Sequence, residues 1–132
     1  MNLAPLLTAP WLVQVHVAAA LAAIVLGLVQ FIGRKGTAAH RLLGWCWVVL
    51  LAVVALSSFS ITGVAGPGRF SWIHGISAIT ICLLAAAVIS ARRGRIRRHR
   101  NFMIGLYLGA LLITGAFTLL PGRIMGRVVF GW

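Results

Sequence analysis

Four long stretches of this chain contain no Asp, Glu, Lys or Arg: Trp11–Ile32, Leu42–Val64, Phe70–Ala91 and Phe102–Leu120. A helix that spans hydrocarbon needs ~20 apolar residues, so each stretch is long enough. With no water there to satisfy the backbone, a spanning segment closes its hydrogen bonds as a helix or a barrel, and these lengths suit helices. Composition agrees. The chain is 61% hydrophobic and 9% charged, against ~45–50% and ~25% for ordinary soluble domains. The expected fold is therefore all-α: a single four-helix integral membrane domain over residues 1–132. No basic residue precedes Trp11, so the first stretch reads as a spanning helix rather than a cleaved signal.

The connections between stretches are short, which predicts an up-down bundle made of two αα-hairpins. Gly66-Pro67-Gly68 predicts a tight turn between the second and third helices. Residues 121–132 follow the last stretch as a short tail. Arg123 and Arg127 lie four apart in it, as in an interfacial helical turn.

Charge then removes whole classes of chemistry. The chain carries 12 Lys and Arg and no Asp or Glu. A carboxylate base, a carboxylate pair, a carboxylate metal site and a Ser-His-Asp triad are all excluded. Cations confined to the ends of apolar runs point to a bilayer partner, not to nucleic acid. Arg34, Lys35 and Arg41 fill the first connection, and Arg92, Arg93, Arg95, Arg97, Arg98 and Arg100 fill the third. Only Arg69, Arg123 and Arg127 fall on the opposite side. The positive-inside rule predicts the first and third connections in the cytoplasm and both termini outside. Trp11, Phe70, Trp72 and Trp132 are the expected outer interface markers; Phe31, Trp45, Trp47 and Phe102 are the inner ones.

The two halves are related. His16 precedes Arg34-Lys35-Gly36 by the same spacing that separates His74 from Arg92-Arg93-Gly94, and His40-Arg41 is echoed by His99-Arg100 one residue later. A parallel repeat sets His16 opposite His74 near the outer face and His40 opposite His99 near the inner face. In an up-down bundle both are diagonal pairs. Two opposed neutral imidazoles are suitable axial ligands for a low-spin haem iron. At 1.5 Å per residue, roughly 25 Å separate the His16 level from the inner end, which would make two haems a path across the bilayer. Ala20, Gly44 and Ala78 sit one turn beyond His16, His40 and His74, where a flat macrocycle needs a small neighbour. Arg41, Arg100 and, outside, Arg123 are candidate partners for haem propionates.

Each feature also has a plainer reading. His40 and His99 stand beside Arg at the ends of their runs, where a basic residue meets lipid headgroups. Cys46 and Cys82 lie at different depths and read as small apolar residues. Tyr107 reads as a packed aromatic or the wall of a quinone site, and Met103 as core or an alternative axial ligand. The leading expectation is a haem b protein that transfers electrons, with two haems, or one held by His16 and His74 alone. Its partners would be a quinone or small redox molecule, and the chain could form a homo-oligomer. The rival expectation is a small non-redox transporter or accessory subunit that uses its histidines as proton relays or packing groups. Candidate polar groups for transport are Ser57, Ser58, Ser60, Thr80 and Thr114.

A family resemblance rests on several short motifs taken together. They are His40-Arg41-Leu42-Leu43-Gly44-Trp45, Ser57-Ser58-Phe59, Phe70-Ser71-x-Ile73-His74-x-x-Ser77, Arg93-Gly94 followed by His99 and Met103, and Leu120-Pro121-Gly122-Arg123-Ile124-Met125. In combination the chain resembles a bacterial family of small predicted membrane proteins, the DUF2306 type. That resemblance implies a four-helix membrane protein. The arrangement of diagonal histidines is similar in layout to dihaem cytochrome b561-type proteins, and this implies a membrane oxidoreductase that moves electrons to or from quinone, ascorbate, iron or oxygen species.

Overall fold

The computed structural model describes residues 1–61 and 71–132. The expected turn Ala65–Arg69, the last residues of the second expected helix and Phe70 lie outside the described residues. The described residues form helices and turns only. Four helices are long and apolar enough to cross a membrane: α2 (Trp11–Ile32), α3 (Ala38–Ser58), α4 (Trp72–Arg92) and α5 (Ile96–Phe117). A short α1 (Ala4–Leu7) precedes them and α6 (Ile124–Phe130) follows.

Local chemistry sets the ends of these helices. Pro10 opens α2, and Gly33, in extended conformation, closes it. Thr37 caps α3 by accepting the His40 backbone N–H at 3.1 Å. The Ser71 side chain caps α4. As a result α3 begins at Ala38 rather than Leu42; α5 begins at Ile96 rather than Phe102, without a side-chain cap. Gly36 and Gly94, the matched glycines of the sequence repeat, both take left-handed φ, at +78° and +68°. The two turns thus share the one backbone feature that demands glycine. Within α5, Leu106–Ile113 is wound as a π-helix, and Thr114 Oγ1 donates to the Gly109 carbonyl at 2.9 Å.

The four long helices form a ring. α2 packs on α3 and α5, and α4 packs on the same two. Among the described residues the backbones of α2 and α4, like those of α3 and α5, do not approach each other, so these are the diagonals. Large apolar side chains face outward along the bundle, Leu21, Val25, Val49, Ile79, Leu108 and Ile113 among them. That surface belongs against lipid.

The interior is narrow and full. The buried residues of α2 are Ala19, Ala23 and Gly27, one per turn. This small-residue stripe lets large partners approach closely. Trp47 of α3 is 2% exposed and donates its Nε1–H to the Ala23 carbonyl at 2.9 Å. Tyr107 of α5 donates its hydroxyl to the Ile24 carbonyl at 3.2 Å. A Cβ on Gly27 would stand 2.4 Å from the Tyr107 ring and 3.1 Å from Trp47 Nε1. Leu51, Leu84, Ala87, Leu106 and Leu111 complete the core. Trp47 is therefore a core residue and not the interface marker its position suggests. Trp45 stays 49% exposed, with the Arg92 guanidinium 5.7 Å from its ring centroid.

Candidate functional site: polar layers at the two ends of the bundle

Polar side chains gather above and below this core. The outer layer joins three helices. His16 Nδ1 of α2 lies 2.7 Å from Ser57 Oγ of α3. Ser57 Oγ also lies 2.6 Å from the Val53 carbonyl. A carbonyl only accepts, so the single hydroxyl proton goes to Val53, and Ser57 accepts from His16 Nδ1–H. Ser58 and Ser77 join α3 to α4 through a short hydroxyl–hydroxyl hydrogen bond. Both residues are buried, as is Thr80 one turn further along α4.

His74 is held differently. Its Nδ1 accepts the Ser71 backbone N–H at 3.0 Å, closing a capping box with Ser71. A neutral ring that accepts at Nδ1 carries its proton on Nε2, and Nε2 faces the Phe59 carbonyl at 3.3 Å. An imidazole that ligates iron through Nε2 carries the opposite arrangement, with the proton on Nδ1 given to a neighbouring acceptor. His16 meets that condition and His74 does not. Their helices are diagonal, but the hydrogen bonds join His16 to Ser57 and His74 to the start of its own helix and to Phe59. The two rings of the expected outer pair are thus held in different hydrogen-bonding arrangements. Ala78 is exposed on the outside of α4, so it cannot flank a ring in the interior; Ala20 is half-buried.

The inner layer holds the other two histidines, one with a carbonyl partner and one without. His99 of α5 donates Nδ1–H to the Ala87 carbonyl of α4 at 2.9 Å, which leaves the Nε2 lone pair. His40 of α3 lies within electrostatic range of His99. The His40 Nδ1 is buried and has no hydrogen-bond partner, alone in this among the described residues. Gln30 of α2 steadies this end by donating to the His40 carbonyl at 3.0 Å. A Cβ on Gly44 would stand 3.2 Å from the Gln30 amide nitrogen, so the small residue here makes room for Gln30. Lys35 and Arg41 contribute charge near His40. Arg41 donates to the Gly36 carbonyl at 3.1 Å, and Arg100 is exposed on the first turn of α5 after its basic start. Arg123 opens α6 at the far end of α5, away from this layer.

Among the described residues no group of three or more His and Cys gathers as a metal cluster. Cys46 and Cys82 are exposed and free. Tyr107 is packed in the core, and Met103 lies against it. Sequence reasoning did not single out Ala87, whose carbonyl orients His99, or Gln30. A backbone acceptor leaves no residue-type signal, and a lone Gln near a helix end is common.

A model of the family described as "Predicted membrane protein (DUF2306)" matches residues 13–130. Among curated proteins, the potassium-transporting ATPase potassium-binding subunits of Salmonella newport (strain SL254) and Salmonella agona (strain SL483) are 36% identical over 61 residues, which is 46% of this chain. The chain spans only 11% of the length of those relatives. No solved structure matches. With a match from the start of the first spanning helix to the last turn of α6, the chain belongs to the DUF2306 family of predicted membrane proteins.

Proposed function

We propose that the chain binds one b-type haem at the basic end of the bundle, where His40 and His99 would hold it, and passes electrons at that membrane face. The observation that carries this reading is the state of the two rings. Nδ1–H of His99 is committed to Ala87 and leaves Nε2 as a lone pair. A buried ring nitrogen without a protein partner, as in His40, is uncommon and points to a non-protein one. The residues fit the group at this end only. Trp47 and Tyr107 fill the middle of the bundle, and His74 carries its proton on the wrong nitrogen for ligation.

A bis-imidazole haem supplies one-electron exchange between ferrous and ferric iron. The chain's own contribution is orientation and charge. The Ala87 carbonyl fixes the His99 tautomer and the orientation of its ring. Arg41 and Arg100 each directly follow one of the two histidines in sequence and suit the propionates. Leu84, Ala87 and Leu106 are buried apolar residues of the core and would help to keep water from a bound ring. Placement in the bacterial inner membrane with the basic end cytoplasmic, and exchange with a quinone or a small redox partner, belong to the same reading. Potassium binding, named for the Salmonella subunits, is not carried over, because the match takes in about a tenth of them.

A second reading draws on the filled interior. A bundle plugged by Trp47 and Tyr107 suits a packing or accessory subunit and gives no path along its own axis for a transported solute. Reduced-minus-oxidised spectra of single variants separate the two. His40→Ala and His99→Ala are expected to abolish the b-type signal, whereas His74→Ala retains it. An undiminished signal in both His40→Ala and His99→Ala would overturn the proposal.

A further inference from the structure

We propose that the turn joining α4 and α5 is a binding site for the headgroup of an anionic phospholipid, built from Arg93, Arg95, Arg97 and Arg98 around Ile96. This site is independent of the haem reading and uses none of its residues.

The argument begins with charge balance. The chain has no Asp or Glu, so no cation in it can be neutralised by a side chain of the same molecule. Six of its twelve cations fall between Arg92 and Arg100. The fold compresses them. The Arg95 N–H donates to the Ser90 carbonyl at 2.9 Å and the Gly94 N–H to Ala91 at 3.1 Å, while left-handed Gly94 reverses the chain. Arg92 turns aside onto the Trp45 ring. The side chains of Arg93, Arg95, Arg97 and Arg98 are exposed, and none makes a hydrogen bond to the described residues. Like charges this close repel one another, and an external anion offsets that cost.

The second observation selects the kind of anion. Arg95, Arg97 and Arg98 line a shallow surface recess together with Ile96 and Asn101. Ile96 is 63% exposed, in the midst of the arginines. A free phosphate gains nothing from an exposed isoleucine. A phospholipid brings a phosphate for the guanidinium groups, bidentate where geometry allows, and glycerol and acyl carbons for Ile96. The site also lies at the end of two spanning helices, which is the headgroup level. Each Lys or Arg near an anionic surface is worth about 1 kcal/mol, or roughly five-fold in binding.

Native mass spectrometry of the detergent-purified full chain, titrated with phosphatidylglycerol or phosphatidylcholine, tests this directly. The expected result is a preference of roughly ten-fold or more for phosphatidylglycerol that weakens with salt. Arg97→Gln alone should lower the affinity roughly five-fold. The triple variant Arg95→Gln/Arg97→Gln/Arg98→Gln should erase the preference, and Arg34→Gln in the other basic turn should leave it nearly intact. Because these residues are exposed, an unchanged circular dichroism spectrum serves as the folding control. Equal binding of the two lipids overturns the proposal, as does an undiminished preference in the triple variant. Displacement of the lipid by equimolar inorganic phosphate would also overturn it, by showing a free-phosphate site. Loss of preference in Arg34→Gln equal to that in the triple variant would show diffuse surface charge instead of a site.

Discussion

Gly27 sits where the edges of Tyr107 and Trp47 converge, and a methyl group there would fall 2.4 Å from the Tyr107 ring. Overpacking of this kind costs about 1–3 kcal/mol. Gly27→Val is therefore expected to lower the thermal midpoint in detergent by several degrees. Gly105→Ala, which meets nothing within 4 Å, should leave the midpoint unchanged or raise it. At the outer layer, Ser57→Ala removes the hydroxyl that accepts from His16. The expected loss is about 0.5–1.5 kcal/mol, read in the same melting experiment, with no effect on the proposed haem signal. The residue types at both layers were legible in the sequence. Their proton positions were not, because they follow from carbonyls at Val53, Ala87 and Phe59 that carry no sequence signature.

At the scale of elements, hydropathy and hydrogen bonding mark different boundaries. Four apolar stretches identify four spanning helices, and the first of them runs over Trp11–Ile32. Apolar runs, however, stop where charge begins, while a helix continues as long as its turns close. The Thr37 cap starts α3 ahead of His40 and Arg41, and α5 starts at Ile96, within the arginine cluster. Both histidines of the inner layer are thus helical and rigidly presented. Thr37→Ala should destabilise the start of α3 by about 1 kcal/mol, seen as faster hydrogen exchange of the His40 amide, whose bond to Thr37 Oγ1 is 3.1 Å long. The π-helical stretch Leu106–Ile113 had no sequence signal that would separate it from an α-helix. It presents Leu106, Tyr107 and Leu111 to the core, so the turns that seal the middle of the bundle are the irregular ones.

For the whole molecule, the repeat foretold two equivalent hairpins, and the matched glycines Gly36 and Gly94 share one backbone conformation. The diagonal relation of α2 to α4 and of α3 to α5 follows from short connections. Symmetry breaks in the chemistry. His74 is tied down by a capping box, whereas no Ser, Thr, Asp or Asn precedes His16 on its own helix. Within the inner layer, His99 has a carbonyl partner and the His40 Nδ1 has none. The bundle interior between the layers is occupied by side chains, a packing outcome that residue patterns alone do not give. On the proposed haem reading, one pair of imidazoles at one end would exchange electrons at that face rather than conduct them through the bilayer. The most direct measurement is haem content per chain, by reduced-minus-oxidised spectroscopy and pyridine haemochrome assay of protein purified from haem-replete cells. The account predicts a single b-type haem per chain. A preparation without haem, or one with two, would contradict it.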